Sequence, residues 1–326
     1  MIRVLARDDV KRALPMMAVI EAVKAAFVRL SKRGAEMPVR SSLEVPAHNG
    51  VTLIMPGYLR GEDTMAVKIV SVFNDNPTNG LPRIHALVVV VDAKTGRPWA
   101  VMDGTYLTAL RTGATSGAAT EALAREDATI AAVVGAGTQG RTQLEAICAV
   151  RPIQQAWVYD IDQRQAEVMC AEMEDRLDLP VEPATSSTQA VSTADVICTA
   201  TTSSTPVFDD ADVSPGTHIN AVGAYTPEMQ EIPPETVMRA RLVVDHRESA
   251  LAEAGDLLIP MKEGLFDEAH IHAELGEIIA GLSTGRTSEN QITLFKSVGV
   301  AVQDVAAASA VLAATRSRDL GTRATL

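Results

Sequence analysis

The clearest candidate for ligand chemistry in the sequence is the glycine-rich segment "VVGAGTQGRTQLEA" (133–146). It fits the pattern G-x-G-x-x-G, which by itself is weak evidence. Here the pattern follows an apolar run typical of a strand and opens a helix, so free backbone N–H groups and the helix dipole would face a pyrophosphate. A tight strand-to-helix turn without a ligand is the alternative. We predict a dinucleotide site, with contacts from Gly135, Gly137, Thr138, Gln139 and Gly140.

An acidic residue follows this turn at the distance that a dinucleotide-binding unit requires. Asp160 ends the strand-like run "AWVYD", about 20 residues beyond Gly140. A carboxylate at this point accepts hydrogen bonds from the adenosine ribose 2′-hydroxyl and repels a 2′-phosphate. The sequence therefore predicts NAD (NADH) as the cofactor. Arg164 could soften that preference, which leaves NADP open.

A hydroxyl-rich run, "TATTSST", follows the strand-like segment "ADVIC". It would lie at the carboxyl end of the sheet, where ligands of open α/β sheets bind. Thr199 and Thr201 are therefore predicted cofactor contacts, although a polar turn without a ligand also fits the run.

Basic residues in the N-terminal third lie in apolar surroundings. Lys68 is inside "AVKIV", Arg111 is inside "LTALRTGATS", His85 is inside "IHALVVVV", and Arg40 follows "MPV". An inward-facing Lys68 would be costly to bury without an anion, so we expect a carboxylate partner for it. The alternatives are a solvent-facing lysine, a helix-surface salt bridge for Arg111 and a core histidine. Together, the basic groups could hold a substrate carboxylate.

The elements that must position these residues change character along the chain. An amphipathic helix over 15–33 is followed by five short runs rich in β-branched residues, which predict a largely antiparallel sheet. A helix over "TYLTALRTGATSGAATEALA" leads to residue 129, after which strands alternate with helices. That alternation predicts a parallel sheet covered on both faces. The tail "SVGVAVQDVAAASAVLAATRSR" predicts a long, small-residue helix.

Composition narrows the function classes. The 326 residues are 47% hydrophobic and have a formal net charge of −12, which excludes a disordered chain and disfavours nucleic acid as a partner. Three cysteines without paired spacing fit a reducing compartment. No apolar leader or membrane-spanning run is evident, so we expect a cytoplasmic protein with no membrane partner.

The segment "HIHAEL" (270–275) does not match H-E-x-x-H, the metal-binding motif of zinc proteases. It predicts a loop entering a helix, and no metal is required.

Several motifs in the same order give the chain a family resemblance. They are "MPVR" (37–40), "AVKIVSVFNDNPTNGLP" (66–82), "AVMDGTYLTALRTGATSG" (100–117), "VVGAGTQGRTQLEA" (133–146), "GTHINAVGAYTPEMQEI" (216–232), "ELGEIIAG" (274–281) and "LFKSVGVAVQDVA" (294–306). Across nearly its whole length, the chain resembles the ornithine cyclodeaminase/mu-crystallin family.

The resemblance implies an α/β fold in which a Rossmann-type, doubly wound parallel-sheet domain is inserted into an α+β substrate and dimerisation domain. The expected boundaries are 1–120 for the outer domain, completed by a C-terminal helix over 300–326, and 121–299 for the NAD-binding domain. A homodimer formed through the outer domain is implied.

Site roles also follow from the resemblance. Arg40, Lys68 and Arg111 would engage the carboxylate and the reacting nitrogen of an imino or amino acid. Val222 and Gly223, in "NAVG", are further predicted cofactor contacts. The cyclodeaminases and the alanine dehydrogenase of the family have an aspartate two residues after this segment, where this chain has Tyr225. Imine reduction does not need that carboxylate, so its loss favours reduction.

We therefore predict an NAD(P)H-dependent oxidoreductase that reduces a small α-imino acid of the Δ1-pyrroline-2-carboxylate or Δ1-piperideine-2-carboxylate type. Lys68 is the predicted proton relay, and His85 and Tyr225 are lesser candidates. The alternatives are an ornithine cyclodeaminase, which forms proline and ammonia, and an alanine dehydrogenase-like oxidation. A non-catalytic, mu-crystallin-like binding protein is a third possibility.

Overall fold

The computed structural model describes residues 1–325, and residues 316 and 317 through their backbone alone. The chain forms two compact units. The first unit combines Met1–Arg111 with the segment from Val300 onward, and the second unit is Thr112–Gly299. The second unit is thus one continuous segment between two parts of the first.

One strand and two helices open the chain, and six strands follow them. These elements are β1 (Ile2–Leu5), α1 (Arg7–Ala13), α2 (Met16–Ser31), β2 (Ala35–Glu36), β3 (Ser41–Val45), β4 (Gly50–Leu59), β5 (Thr64–Phe73), β6 (Ile84–Asp92) and β7 (Pro98–Asp103). The helix α3 (Gly104–Leu123) then runs from the first unit into the second.

The second unit continues with alternating strands and helices. They are β8 (Ile130–Val134), α4 (Thr138–Val150), β9 (Gln155–Tyr159), α5 (Gln163–Leu177), β10 (Val181–Pro183), α6 (Ser187–Val191), β11 (Val196–Thr199), β12 (His218–Ala221), α7 (Pro234–Arg239), β13 (Arg241–Val244), α8 (Arg247–Glu253), α9 (Gly255–Lys262), β14 (Ile271–Glu274), α10 (Leu275–Ile279) and β15 (Thr293–Lys296). The chain returns to the first unit with α11 (Ala301–Arg318) and β16 (Thr322–Ala324).

The first unit is built on a mixed sheet in the order β16-β1-β7-β6-β5-β4-β2, with β3 paired to β4. All pairs are antiparallel except β1 with β7, so the prediction of a largely antiparallel sheet is confirmed. α11 packs on β4 and β5 and also on α2. A Cβ at Gly57 would lie 2.9 Å from the side chain of Val305, so glycine allows α11 to approach β4 closely.

The second unit is built on an eight-stranded parallel sheet in the order β10-β9-β8-β11-β12-β15-β13-β14. The order reverses between β8 and β11, as in a doubly wound fold, so the predicted fold class is confirmed. Two separate apolar clusters pack around this sheet, as expected for a sheet covered on both faces.

Two local expectations differ from the structure. The segment 270–275 is not a loop entering a helix, because residues 271–274 form β14 at the edge of the parallel sheet. The helix expected over 300–326 ends at Arg318, where Asp319 adopts a left-handed conformation, φ 47°, and lets the chain return as β16 beside β1. Residue 326 lies outside the described residues. Within the described part, no helix is long and apolar enough to span a membrane.

Candidate active site and cofactor site

Lys68 lies in the middle of β5, and its side chain is buried, with 1% of the residue exposed. Its Nζ is 2.8 Å from Oδ2 of Asp304, in the first turn of α11. A buried ammonium is stable only beside an opposite charge or equivalent hydrogen bonds. Asp304 is therefore the carboxylate partner that the sequence predicted for an inward-facing Lys68.

Arg111 shares that carboxylate. It extends from α3, and its Nε donates to Oδ1 of Asp304 at 3.0 Å. A second guanidinium nitrogen donates to Oε1 of Gln303. Arg40, half-buried just before β3, is near enough for its charge to act on Lys68. We call Arg40, Lys68, Arg111 and Asp304 the cationic cluster. It combines three positive groups with one negative group.

The cluster changes the acidity of its lysine. Burial lowers the pKa of Lys68 to about 8, and the positive charges of Arg111 and Arg40 act in the same direction. The Asp304 carboxylate opposes these effects because it stabilises the ammonium. With a pKa near 8, Lys68 can both hold and release a proton close to neutral pH.

His85 does not join the cationic cluster. It pairs across β6 and β5 with Ser71, three residues from Lys68, so His85 and Lys68 point to opposite faces of the sheet. His85 is also exposed, which rules out the alternative of a core histidine in the first unit. The sequence pattern missed this because a single residue in an apolar run does not show which face it occupies.

The glycine turn in the second unit has the shape that a dinucleotide requires. Gly135 has φ 108°, and a Cβ there would lie 2.7 Å from the Ala200 carbonyl oxygen. A Cβ at Gly140 would lie 2.2 Å from the Gly135 carbonyl oxygen. Gly137, in contrast, has nothing within 4 Å on that side, and it is exposed at the N-terminus of α4. The outer glycines make the turn, and the middle one leaves room for a phosphate.

The other residues of the turn lie around that open space. Thr138 is exposed and Gln139 is half-buried in the first turn of α4. Asp160, at the end of β9, accepts from the backbone N–H of Ala136 at 2.7 Å and of Asp162 at 2.9 Å. Its carboxylate thus ties β9 to the glycine turn and retains lone pairs for a ribose hydroxyl. These residues fit the adenosine and pyrophosphate of NAD.

A second group of residues surrounds Glu231, which is fully buried. Its carboxylate accepts five hydrogen bonds, of 2.6 to 3.1 Å, from the last residue of β11 and from the loops that follow β11 and β12. The donors are the hydroxyls of Thr199 and Thr201 and the backbone N–H groups of Thr201, Gly223 and Ala224. We call this arrangement the Glu231 clamp.

A buried ion pair supports the clamp. The backbone N–H groups of Glu231 and Ile232 donate to Oδ1 of Asp256 at 2.6 and 2.9 Å. The other Asp256 oxygen lies 2.8 Å from Nζ of Lys296, and both side chains are fully buried. Burial raises the pKa of Glu231, the Asp256 charge adds to this, and Lys296 counteracts it.

The structure places all ten predicted cofactor residues at the carboxyl ends of four neighbouring strands, β9, β8, β11 and β12. Thr199 has no exposed surface, so its side chain belongs to the clamp. Val222 is half-buried and donates its backbone N–H to the Thr199 carbonyl oxygen. Tyr225 is half-buried against the apolar cluster of the second unit. In the described residues, no cluster of histidine, cysteine and acidic residues could hold a metal ion.

Sequence reasoning did not assign a role to Asp304, Asp256 or Lys296. Asp304 could have been found, because it is the single charged residue in the small-residue stretch "SVGVAVQDVAAASAVLAAT". Asp256 and Lys296 carry no such signal. Asp256 is an acidic residue in the first turn of a helix, and Lys296 is the last residue of a strand, and charged residues are common at both positions.

Comparison with known proteins identifies relatives over the whole chain. The sequence profile of the ornithine cyclodeaminase/mu-crystallin family matches residues 2–319. A Δ1-pyrroline-2-carboxylate reductase from Bacillus cereus (strain ATCC 10987 / NRS 248) is 38% identical over 321 residues, 98% of either chain.

Two solved structures are also similar. The Δ1-pyrroline-2-carboxylate reductase of Thermococcus litoralis, in complex with NADH and L-proline, is 44% identical and has a TM-score of 0.96, covering 99% of this chain and 100% of the other. An archaeal alanine dehydrogenase dimer with bound NAD is 36% identical and has a TM-score of 0.93, covering 100% of this chain and 99% of the other.

The space beside Gly137 can be tested by filling it. Gly137→Ala should keep the wild-type melting temperature, because nothing lies within 4 Å of the new methyl group and the backbone φ is −79°. It should weaken NADH binding by about tenfold or more, an energy of about 1.4 kcal/mol, measured by fluorescence titration. Gly135→Ala is the comparison, and it should lose both stability and binding. Unchanged NADH affinity in Gly137→Ala would contradict the cofactor site.

Proposed function

The chain belongs to the ornithine cyclodeaminase/mu-crystallin family, and on that basis we propose that it is an NADH-dependent reductase of Δ1-pyrroline-2-carboxylate, forming proline. The observation that carries this proposal is the cationic cluster, in which one buried carboxylate holds Lys68 and Arg111 side by side. The relatives from Bacillus cereus and Thermococcus litoralis, which are reductases of this imino acid, support the choice of substrate.

The cluster suits an α-imino carboxylate. Arg40 and Arg111 would bind the carboxylate, since guanidinium groups pair well with carboxylates. NADH, when bound, supplies the hydride that reduces the carbon of the C=N bond. The nitrogen then needs one proton to complete the amine, and Lys68, with its pKa lowered to about 8, would be its source or relay.

The second unit favours reduction over oxidative deamination. An enzyme that oxidises an amine needs a base for the substrate ammonium. Ala224 and Tyr225 offer no carboxylate after the loop glycine, and the Glu231 carboxylate is occupied by five hydrogen bonds. In the first unit, Asp304 is already paired with two cations. An ornithine cyclodeaminase activity therefore has less support.

A homodimer is proposed on the sheet face opposite Lys68. Ile54, Ile69 and Leu87 form a row across β4, β5 and β6, and they are 41%, 38% and 41% exposed. Contiguous exposed apolar side chains are a common feature of interfaces with other proteins. The archaeal alanine dehydrogenase, a dimer, supports a second copy of the chain as that partner.

We place the protein in the cytoplasm, where its three free cysteines would remain reduced.

The activity can be tested directly. Purified protein with NADH and Δ1-pyrroline-2-carboxylate should oxidise NADH and form proline, with the six-membered Δ1-piperideine-2-carboxylate and NADPH tested in parallel. Lys68→Ala should lower kcat/KM by at least about 100-fold, because it removes both a charge and a proton source. Lys94→Ala, at an exposed lysine, is the matched control. Ammonia release from ornithine with NAD, without turnover of either imine, would refute the proposal.

The role of Lys68 predicts a pH dependence. Its protonated form is the active one in reduction, so kcat/KM should be constant below the pKa of about 8 and fall as the pH rises through it. Asp304→Asn should move this fall to lower pH, because the carboxylate favours the ammonium. Lys68→Arg should abolish the fall in any residual activity, since arginine does not titrate in this range. An unchanged alkaline fall in both variants would assign it to another group.

The dimer face predicts a change in mass. Ile69→Lys should convert a dimer into a monomer, because the row would have to bury a charge. Met17→Lys, which alters a side chain of α2 that is 40% exposed, should leave the mass unchanged. Size-exclusion chromatography with light scattering measures both. A monomeric wild-type protein, or a dimeric Ile69→Lys variant, would contradict the proposed face.

A further inference from the structure

The Glu231 clamp has no part in the steps proposed above, yet it lies where ligands of a doubly wound sheet bind. It joins the carboxyl ends of β11 and β12, immediately beyond the point at which the strand order reverses. Ligands of doubly wound sheets bind across that point.

The two sides of the reversal would hold different halves of the cofactor. Asp160 and the glycine turn lie on the β9 and β8 side, where they fit the adenosine and the pyrophosphate. A dinucleotide that crosses the reversal must then extend its nicotinamide half over the ends of β11 and β12. Those ends are the loops that the clamp joins.

We propose that Glu231 is a positioning residue for the nicotinamide half of the cofactor, an inference that rests on the NADH-dependent reaction proposed above. Glu231 has no exposed surface, so it acts through the loops and does not touch the ligand. Its two carboxylate oxygens fix the end of β11 at Thr199 and the following loop at Thr201 relative to Gly223 on the other loop. The relative position of the loops is thus set by a single side chain.

The packing around the clamp leaves little freedom. A Cβ at Gly223 would lie 2.4 Å from Oε1 of Glu231 and 2.4 Å from the Thr201 carbonyl oxygen, so only glycine fits there. Asp256 holds the backbone of Glu231 itself, and Lys296 anchors Asp256 to the end of β15. Glu231 therefore cannot shift to follow a displaced loop.

Glu231→Gln tests this role with a side chain of nearly the same size. The new amide group donates hydrogen bonds, and it would face the N–H donors of at least one loop. A displacement of about 1 Å in a reacting group can reduce the rate about 100-fold, so we expect a decrease in kcat/KM of that order. Fluorescence and competition titrations should show weaker NADH binding and an unchanged Kd for ADP-ribose, which lacks the nicotinamide.

Asp195→Asn is the matched control for a purely structural effect. Asp195 accepts hydrogen bonds from Thr129 and Ile130 and pairs with Arg125, but at the amino ends of β8 and β11. Its replacement should lower the melting temperature and leave kcat/KM and both affinities at the wild-type level. If Glu231→Gln does not fold, Thr199→Val removes one buried hydroxyl from the clamp and should give a smaller kinetic loss of the same pattern.

The inference would be overturned if clamp variants lost ADP-ribose affinity in the same proportion as NADH affinity. It would also be overturned if they only lowered the melting temperature, as Asp195→Asn should. A wild-type protein that bound NADH but reduced no imino acid would refute the proposed function. In that case the ratio of the ADP-ribose and NADH dissociation constants would still decide the role of Glu231.

Discussion

Burial of charge beside an opposite charge is the constraint on which this structure depends most. Lys68, in the central part of a β-sheet, would be unstable there without a carboxylate. Asp304 provides it and at the same time pairs with Arg111, so one side chain joins β5, α3 and α11. The same contacts hold two cations close together, although like charges repel each other. In the proposed function, stability of the sheet and affinity for an anionic substrate would thus arise from the same atoms.

In the second unit, hydrogen-bond donors compensate buried negative charges. Its loops need fixed backbone positions, and buried carboxylates give them through charge-assisted hydrogen bonds. Glu231 serves the loops after β11 and β12, and Asp245 accepts three hydrogen bonds from Ser297, Val298 and Gly299 after β15. In both units, acidic residues therefore organise the surroundings of a site without being available as catalytic bases. This agrees with reduction of an imine, which requires no such base.

The sequence predicted the fold class because the parallel sheet has local signals. Its strands are apolar runs, the first of them is followed by the glycine turn, and the second is followed by Asp160. It did not predict β1, β2 or β16, which have two to four residues and are strands only because a neighbour pairs with them. It grouped Lys68 with Arg111 correctly in space, but it also included His85, which lies on the other sheet face. Pairing across long distances, as between Arg111 and Asp304, is fixed by packing and not by residue spacing.

The discontinuity of the first unit has a consequence for how the chain acquires its structure during synthesis. Arg111 and Asp304 are 193 residues apart, and α11 covers a sheet whose strands have all been made long before except for β16. Until α11 leaves the ribosome, β4 and β5 expose their apolar face, and Lys68 has no carboxylate partner from that helix. The second unit is contiguous and can fold as soon as it emerges. All of the second unit is therefore synthesised before the cationic cluster can form, because that cluster requires Asp304 of α11.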